Sequence, residues 1–322
     1  MSGHRVIASG LLFPEGPVAM LDGSVLVVEM QRRSLTRVAP DGSTQVVAQL
    51  AGGPNGAAIG PDGRCYICNN GGFVFNQVGD TLVPGLTPAD YVGGWVKAVD
   101  LITGQSEVLY RACGDIPLRG PNDLVFDRDG GMWFTDTGKV VGRQRDRGAV
   151  FYARTDGSFI KQVVFPLEGP NGVGLSPDDR TLYVSESWTG RIWAYDIVAP
   201  GEIARFAGRM PWQRGRMLIG LGGYSMLDSI AVERNGNICL GDIPSGGIAV
   251  VTPDGRLLER HPMPDAFTTN ICFGGPDLRT AYITLSSTGK LVEMKWPRPG
   301  LPLHHLNHRP ATRGAAAPQF AP

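Results

Sequence analysis

A short unit written six times constrains this chain more than any other feature. Each copy begins with an oxygen-bearing side chain and reaches an acidic or amide turn residue seven positions later. The pairs are Glu15 with Asp22, Asn55 with Asp62, Asn122 with Asp129, Asn171 with Asp178, Asp228 with Asn235, and Asn270 with Asp277. An apolar run follows the leading residue, as in Ala57-Ala58-Ile59 or Val173-Gly174-Leu175, and then a turn such as Asp22-Gly23, Asp129-Gly130 or Asn235-Gly236. Gly accepts φ > 0 and Asn or Asp bonds the local backbone, so these read as hairpin turns. A second run, such as Met132-Trp133-Phe134-Thr135, and a third, such as Ile192-Trp193-Ala194-Tyr195, are rich in β-branched and aromatic residues. Such residues suit a sheet packed on both faces. A turn at Pro40-Asp41-Gly42 leaves room for a short fourth strand, Gln45-Val46-Val47-Ala48.

The copies are spaced by roughly 40 to 70 residues, the length of a four-stranded propeller blade with loop insertions. A β-sandwich would not explain a sixfold motif, and a β-helix would need a shorter, stricter repeat. The chain is therefore expected to be all-β, a six-bladed β-propeller with four-stranded blades around a central channel. The propeller is placed over residues 1–296, and a flexible Pro/Ala-rich tail over 297–322 carries His304, His305 and His308 as solvated residues. The widest interval holds an extra segment over 71–94 that includes Phe73, Phe75 and Tyr91. It reads equally as a surface loop or as a lid over the channel mouth. A second insertion, from Met210 to Tyr224, is placed to edge the same mouth.

Thirty Lys plus Arg balance 30 Asp plus Glu, which leaves no basic excess for a nucleic-acid partner. The start lacks a basic segment followed by an apolar run, and no stretch of about 20 apolar residues occurs, so neither a secretory signal nor a membrane span is expected. The expectation is a cytoplasmic protein, monomeric or a small homo-oligomer. Cys65 and Cys68 form a C-x-x-C, but on a strand, positions three apart face opposite ways. They read as small buried hydrophobes rather than as a zinc or redox pair.

The first strand of each propeller blade lines the channel, so the six leading residues should form a ring at one end of it. Every member (Glu15, Asn55, Asn122, Asn171, Asp228, Asn270) offers oxygen, and none is His or Cys. Two carboxylates with amide carbonyls suit a hard divalent cation, chiefly Ca2+, with Mg2+ or Mn2+ next; Zn2+ is a weaker fit because it usually recruits His or Cys. Asn between Pro and Gly, as in Pro54-Asn55-Gly56, is ordinary turn chemistry. Glu15 in the same slot between Pro14 and Gly16 is not, and Asp228 between Leu227 and Ser229 is no obvious loop residue. A cation held there could polarise an ester or lactone carbonyl while Asp228, as general base, takes a proton from the attacking water. No G-x-S-x-G occurs and His261 has no repeat-equivalent placement, so a serine esterase mechanism is rejected.

These residues resemble those of the senescence marker protein, gluconolactonase and luciferin-regenerating enzyme family, over about residues 9–296. The carriers are Pro14-Glu15-Gly16-Pro17, Gly120-Pro121-Asn122-Asp123, Glu168-Gly169-Pro170-Asn171-Gly172 and Thr269-Asn270-Ile271-Cys272-Phe273-Gly274-Gly275-Pro276-Asp277. Trp133-Phe134-Thr135-Asp136 is similar to the bacterial lactonase branch. The resemblance implies a catalytic divalent metal, most often Ca2+, held by Glu15, Asn171 and Asp228, with Asn122 as a fourth ligand or a substrate contact. It implies a substrate contact for Arg119, although Arg119 lies three residues before Asn122 where the animal branch has two. Asn55 and Asn270 complete the expected substrate-binding set. The fifth motif, Met226-Leu227-Asp228-Ser229-Ile230, departs from the usual Pro before and Gly after the Asp. The activity implied is metal-dependent opening of a lactone, a sugar-acid lactone first. The alternatives are an aryl ester, a hydrophobic lactone or an organophosphate on the same site, a non-catalytic Ca-binding scaffold, and a synthase or lyase on the same fold.

Overall fold

The computed structural model describes residues 3–208, 213 and 215–307. Six antiparallel sheets follow one another around an axis. Their innermost strands are Pro14–Ala19, Pro54–Ile59, Pro121–Phe126, Pro170–Leu175, Met226–Val232 and Thr268–Gly274. No helix occurs among the described residues. Each blade runs outward through successive hairpins, and the last is completed from the other end of the chain: His4–Ala8 pairs with Lys290–Lys295. That closure leaves no free edge between the first and last blades.

The core lies between the blades rather than inside any one of them. Tyr66 and Val96 of the second blade meet Phe126, Phe134 and Phe151 of the third. On the other face of that third blade, Trp133 and Tyr152 meet Val173 and Leu182 of the fourth. Consecutive residues Trp133 and Phe134 thus serve different neighbours, which explains why the strands read as unbroken apolar runs. Cys65 packs toward the first blade and Cys68 toward the third, and all five cysteines are free thiols.

Each innermost strand slips register by one residue against its neighbour near its leading residue. Pro54 pairs with Asn69 but Ala57 with Ile67; Pro121 pairs with Asp136 but Leu124 with Phe134. Pro170, Leu227, Glu15 and Thr268 begin the same slip in the other blades. A bulge leaves one residue out of the ladder and re-aims its side chain. The following Gly permits close approach: a Cβ at Gly16 would lie 2.6 Å from the Asn55 carbonyl oxygen, and one at Gly172 would lie 2.5 Å from the Ile230 nitrogen.

Two insertions rise over the mouth at which the leading residues stand. The segment 71–94 carries the hairpin Phe75–Val78 with Thr81–Pro84. Leu82 N donates to Ser287 O at 2.7 Å, and Tyr91 Oη donates to Arg119 O at 2.6 Å. The segment is therefore anchored on two separate blades and roofs the mouth. A second hairpin, Val140–Val141 with Gln144–Arg145, rises from the third blade.

The expected solvated tail is corrected over 297–307. Leu301 N donates to Val232 O at 2.8 Å and Gly300 N to Leu278 O at 2.8 Å. Arg298 pairs with the buried Glu233, and Leu306 is buried between the first two blades. His304 pairs with Asp179, and His305 Nε2 lies 2.9 Å from Asp127 O. The segment is rich in proline, which suggests a loose linker, but its backbone is bonded to the fifth and sixth blades. His308 lies outside the described residues.

Candidate active site

The bulges bring the leading residues together at the floor of a cavity of about 470 Å³. Glu15, Asn55, Asn122, Asn171 and Asp228 line it. Hydroxyls on the preceding blade's second strand hold the backbone of the next blade's first strand. Thr135 Oγ1 donates to Asn171 O, Ser185 Oγ to Asp228 O at 2.7 Å, and Ser286 Oγ to Pro14 O at 2.6 Å. The ring is thus positioned by bonds between blades as well as within them.

The carboxylates differ in access. Glu15 is buried, while Asp228 is partly open to the cavity. Burial holds the Glu15 carboxyl well above its ordinary range, and the neighbouring Asp228 charge adds to this. Asp228 is pushed up to about 7 by burial and then by the charge of Asp123. Asp123 is itself raised to about 7 by burial, although its Oδ1 accepts from Leu124 N at 2.9 Å and its Oδ2 from Val173 N at 3.4 Å. Three acids, two buried and one facing the cavity, therefore crowd one spot and resist ionising without a compensating cation.

The amides complete the donor set. Asn171 Nδ2 donates to Ser187 Oγ at 3.1 Å, and no protein group bonds the buried Oδ1 atoms of Asn122 and Asn171. Buried acceptors are normally paired, so two orphaned carbonyl oxygens beside two crowded carboxylates fit a hard cation. Among the described residues no cluster of three or more His, Cys, Asp or Glu side chains forms a metal cage; any cation here depends on the amides too.

Two expected substrate contacts sit elsewhere. Arg119 is outside the cavity: its Nε donates to Asp146 Oδ2 at 2.9 Å and its guanidinium lies over Tyr91. The extra residue between Arg119 and the ring, together with the acceptor at Asp146, turns the side chain away. Asn270 is spent on the ring itself, accepting from Ile271 N at 2.8 Å and donating to Glu15 Oε2 at 3.4 Å. Of the second insertion, Tyr224 reaches the cavity rim, while Met210, Pro211, Trp212 and Arg214 lie outside the described residues.

Three groups are not evident from the leading residues alone. Asp123 stands where Gly follows the ring residue in three other blades, and this substitution was a visible signal. A second repeat stands at the end of the second strands, at Glu29, Asn69, Asp136 and Glu186, and one residue before it at Asp242. In four of these blades the side chain captures the loop leading into the ring: Leu12 N donates to Glu29, Gly53 N to Asn69, Gly120 N to Asp136 and Glu168 N to Glu186. The near-constant spacing from the leading residue was the available clue. Lys139 is also buried in the cavity wall, its Nζ donating to Gly72 O at 2.7 Å and lying 3.9 Å from the Phe73 ring centroid.

Residues 13–287 match the family model for the SMP-30/Gluconolactonase/LRE-like region. A gluconolactonase of Zymomonas mobilis is 27% identical over 315 residues, covering 90% of this chain and 81% of its own. A lactonase drp35 of Staphylococcus saprophyticus is 28% identical over 213 residues, 66% of this chain and 57% of that protein. Among solved structures, a gluconolactonase from Xanthomonas campestris superposes with a TM-score of 0.72 at 22% identity, over 92% of this chain and 90% of that one; this likeness concerns the fold.

Proposed function

This chain belongs to the SMP-30/gluconolactonase/LRE-like family, and from that premise we propose that it is a divalent-metal-dependent hydrolase that opens a lactone ring. The observation that carries the reading is the pair of unpartnered amide oxygens, Asn122 Oδ1 and Asn171 Oδ1, at a cavity floor shared with Glu15 and Asp228. These four residues would hold the cation, with Ca2+ the best match to an all-oxygen set. When bound, the cation supplies a Lewis acid for the lactone carbonyl.

The remaining work falls to side chains. Asp228, the acid open to the cavity, accepts a proton from the water that attacks the carbonyl carbon. It returns that proton to the ring oxygen as the acyl C–O bond breaks, and a hydroxy acid leaves. Glu15, buried and bonded by Asn270, keeps its charge at the ring and takes no part in proton transfer. Asn55 lines the same floor and would donate to a substrate oxygen. The roof formed by 71–94 limits water at the reacting carbonyl.

The test is a lactone panel assayed with chelator-stripped protein and then with Ca2+, Mg2+, Mn2+ or Zn2+ restored singly. Ring opening should vanish on stripping and return with at least one ion. Full activity in excess chelator, or no ring opening with any ion, would sink the reading.

A further inference from the structure

Taking the lactone reading above as given, we propose that the preferred substrate is a lactone with an apolar body, an alkyl chain or fused aromatic ring, rather than a polyhydroxylated sugar lactone. The wall above the ring is built of Phe13, Phe73, Leu86, Trp188, Ile243 and Phe267. It is continuous on one side: Phe13 lies 5.2 Å from Phe75 and 6.0 Å from Phe267, ring centroid to centroid. Leu86, on the roof, is 66% exposed and extends this apolar wall over the cavity.

Most polar atoms of this wall are turned elsewhere, the exposed Tyr224 at the rim aside. Thr87 Oγ1 donates to Val140 O, Thr137 Oγ1 to Pro170 O and Ser187 Oγ to Leu227 O, each at 2.7 Å. Thr269 Oγ1 shares its proton network with Thr284 and Ser286. Of the two cations, Lys139 donates to Gly72 O and Arg145 to Glu168. Arg119, the residue expected to meet sugar hydroxyls, is paired with Asp146 outside the cavity. A sugar lactone entering here gives up water at every ring hydroxyl and meets few free partners away from the floor, which opposes its binding. An alkyl or aryl substituent loses nothing polar and covers the wall. The space is adequate: a cavity of about 470 Å³ lies within the range that encloses small organic ligands.

Three δ-lactones that share one ring separate the alternatives: unsubstituted δ-valerolactone, δ-decalactone with its alkyl chain, and δ-gluconolactone with its hydroxyls. The Ca2+-loaded protein is assayed with each, and kcat/KM is divided by the spontaneous rate. δ-Decalactone should exceed the bare ring by about tenfold or more, from burial of its chain, and δ-gluconolactone should not exceed the bare ring. Leu86→Asn, at an exposed position that does not threaten folding, should cut the δ-decalactone advantage by about threefold. A higher corrected rate for δ-gluconolactone than for δ-decalactone, or an advantage untouched by Leu86→Asn, overturns the proposal. If none of the three is opened, the hydrolase reading fails, and the wall is judged by binding alone. The lactam analogue of δ-decalactone should then bind about tenfold more tightly than gluconolactam, and equal or reversed affinities overturn the proposal.

Discussion

At one mouth of the channel, Glu15, Asn122, Asn171 and Asp228 share a floor under a cavity of about 470 Å³. At the other, Leu301 to His305 cross a space of about 120 Å³ walled by residues such as Val18, Ile59, Phe126 and Leu175. The same six strands supply both ends. At the far end the crossing segment brings its own partners: His304 with Asp179, His305 with the Asp127 carbonyl, Arg298 with Glu233. At the near end two amide oxygens have no protein partner and three acids repel one another. Two neighbouring amide oxygens left unpaired beside crowded acids mark the end where an outside partner is needed.

Four measurements can break or sharpen that contrast. The largest effect is expected at the near end. Asp228→Asn removes the proposed proton acceptor and one charge, and lactone kcat/KM should fall by about 10³-fold. Because the carboxylate is costly to bury, the metal-free variant should melt no lower than the metal-free parent at pH 8. A large loss of metal-free stability would mean that Asp228 holds the fold rather than the chemistry. Arg298→Ala makes the opposite kind of change at the far end. It leaves the buried Glu233 short of its counter-charge and should cost about 3 kcal/mol in denaturant unfolding, while kcat/KM of the folded protein stays within about twofold of the parent. A comparable loss of activity would show that the two ends are coupled.

Cation linkage comes next. Asp228 titrates near 3.8 in the unfolded chain and is raised to about 7 in the folded protein without metal. Between these values the folded state holds a proton that the unfolded chain has released, so metal-free stability falls as pH rises from about 4 to about 7. Ca2+ competes with those protons. At a fixed concentration, about one hundred times its dissociation constant at pH 8, it should add about 2.7 kcal/mol of stability there, seen as a rise in Tm that is larger at pH 8 than at pH 5. An equal rise at both pH values would remove the buried acids from the site. The smallest effect is expected at Arg119: Arg119→Ala should change kcat/KM by less than about threefold, as for an exposed ion pair outside the cavity. A larger loss, carried by a raised KM, would return Arg119 to the substrate.

Architecture was the more legible half. The six leading residues, their hairpin turns and the second and third strands all occur where the repeat puts them, because each blade must turn the same corner and pack on two neighbours. The closing strand His4–Ala8 was not legible, since its pairing with Lys290–Lys295 joins opposite ends of the chain. The tail over 297–307 was misread for the same reason: its composition suggests a solvated linker, and its partners lie on blades far away in sequence.

Within the site, residue type pointed to oxygen chemistry, but placement needed three dimensions. Arg119 and Asn270 looked like substrate contacts, yet Asp146 claims one and Glu15 the other. Asp123 was legible only as the last residue of the Gly120-Pro121-Asn122-Asp123 motif, and its raised pKa comes from burial beside a strand of the next blade. Local pattern suffices for what every blade repeats, because turn chemistry and alternation act over a few residues. Which donors stay free, which acids meet, and which mouth is plugged depend on contacts between blades dozens to hundreds of residues apart, and only the closed ring of blades could decide them.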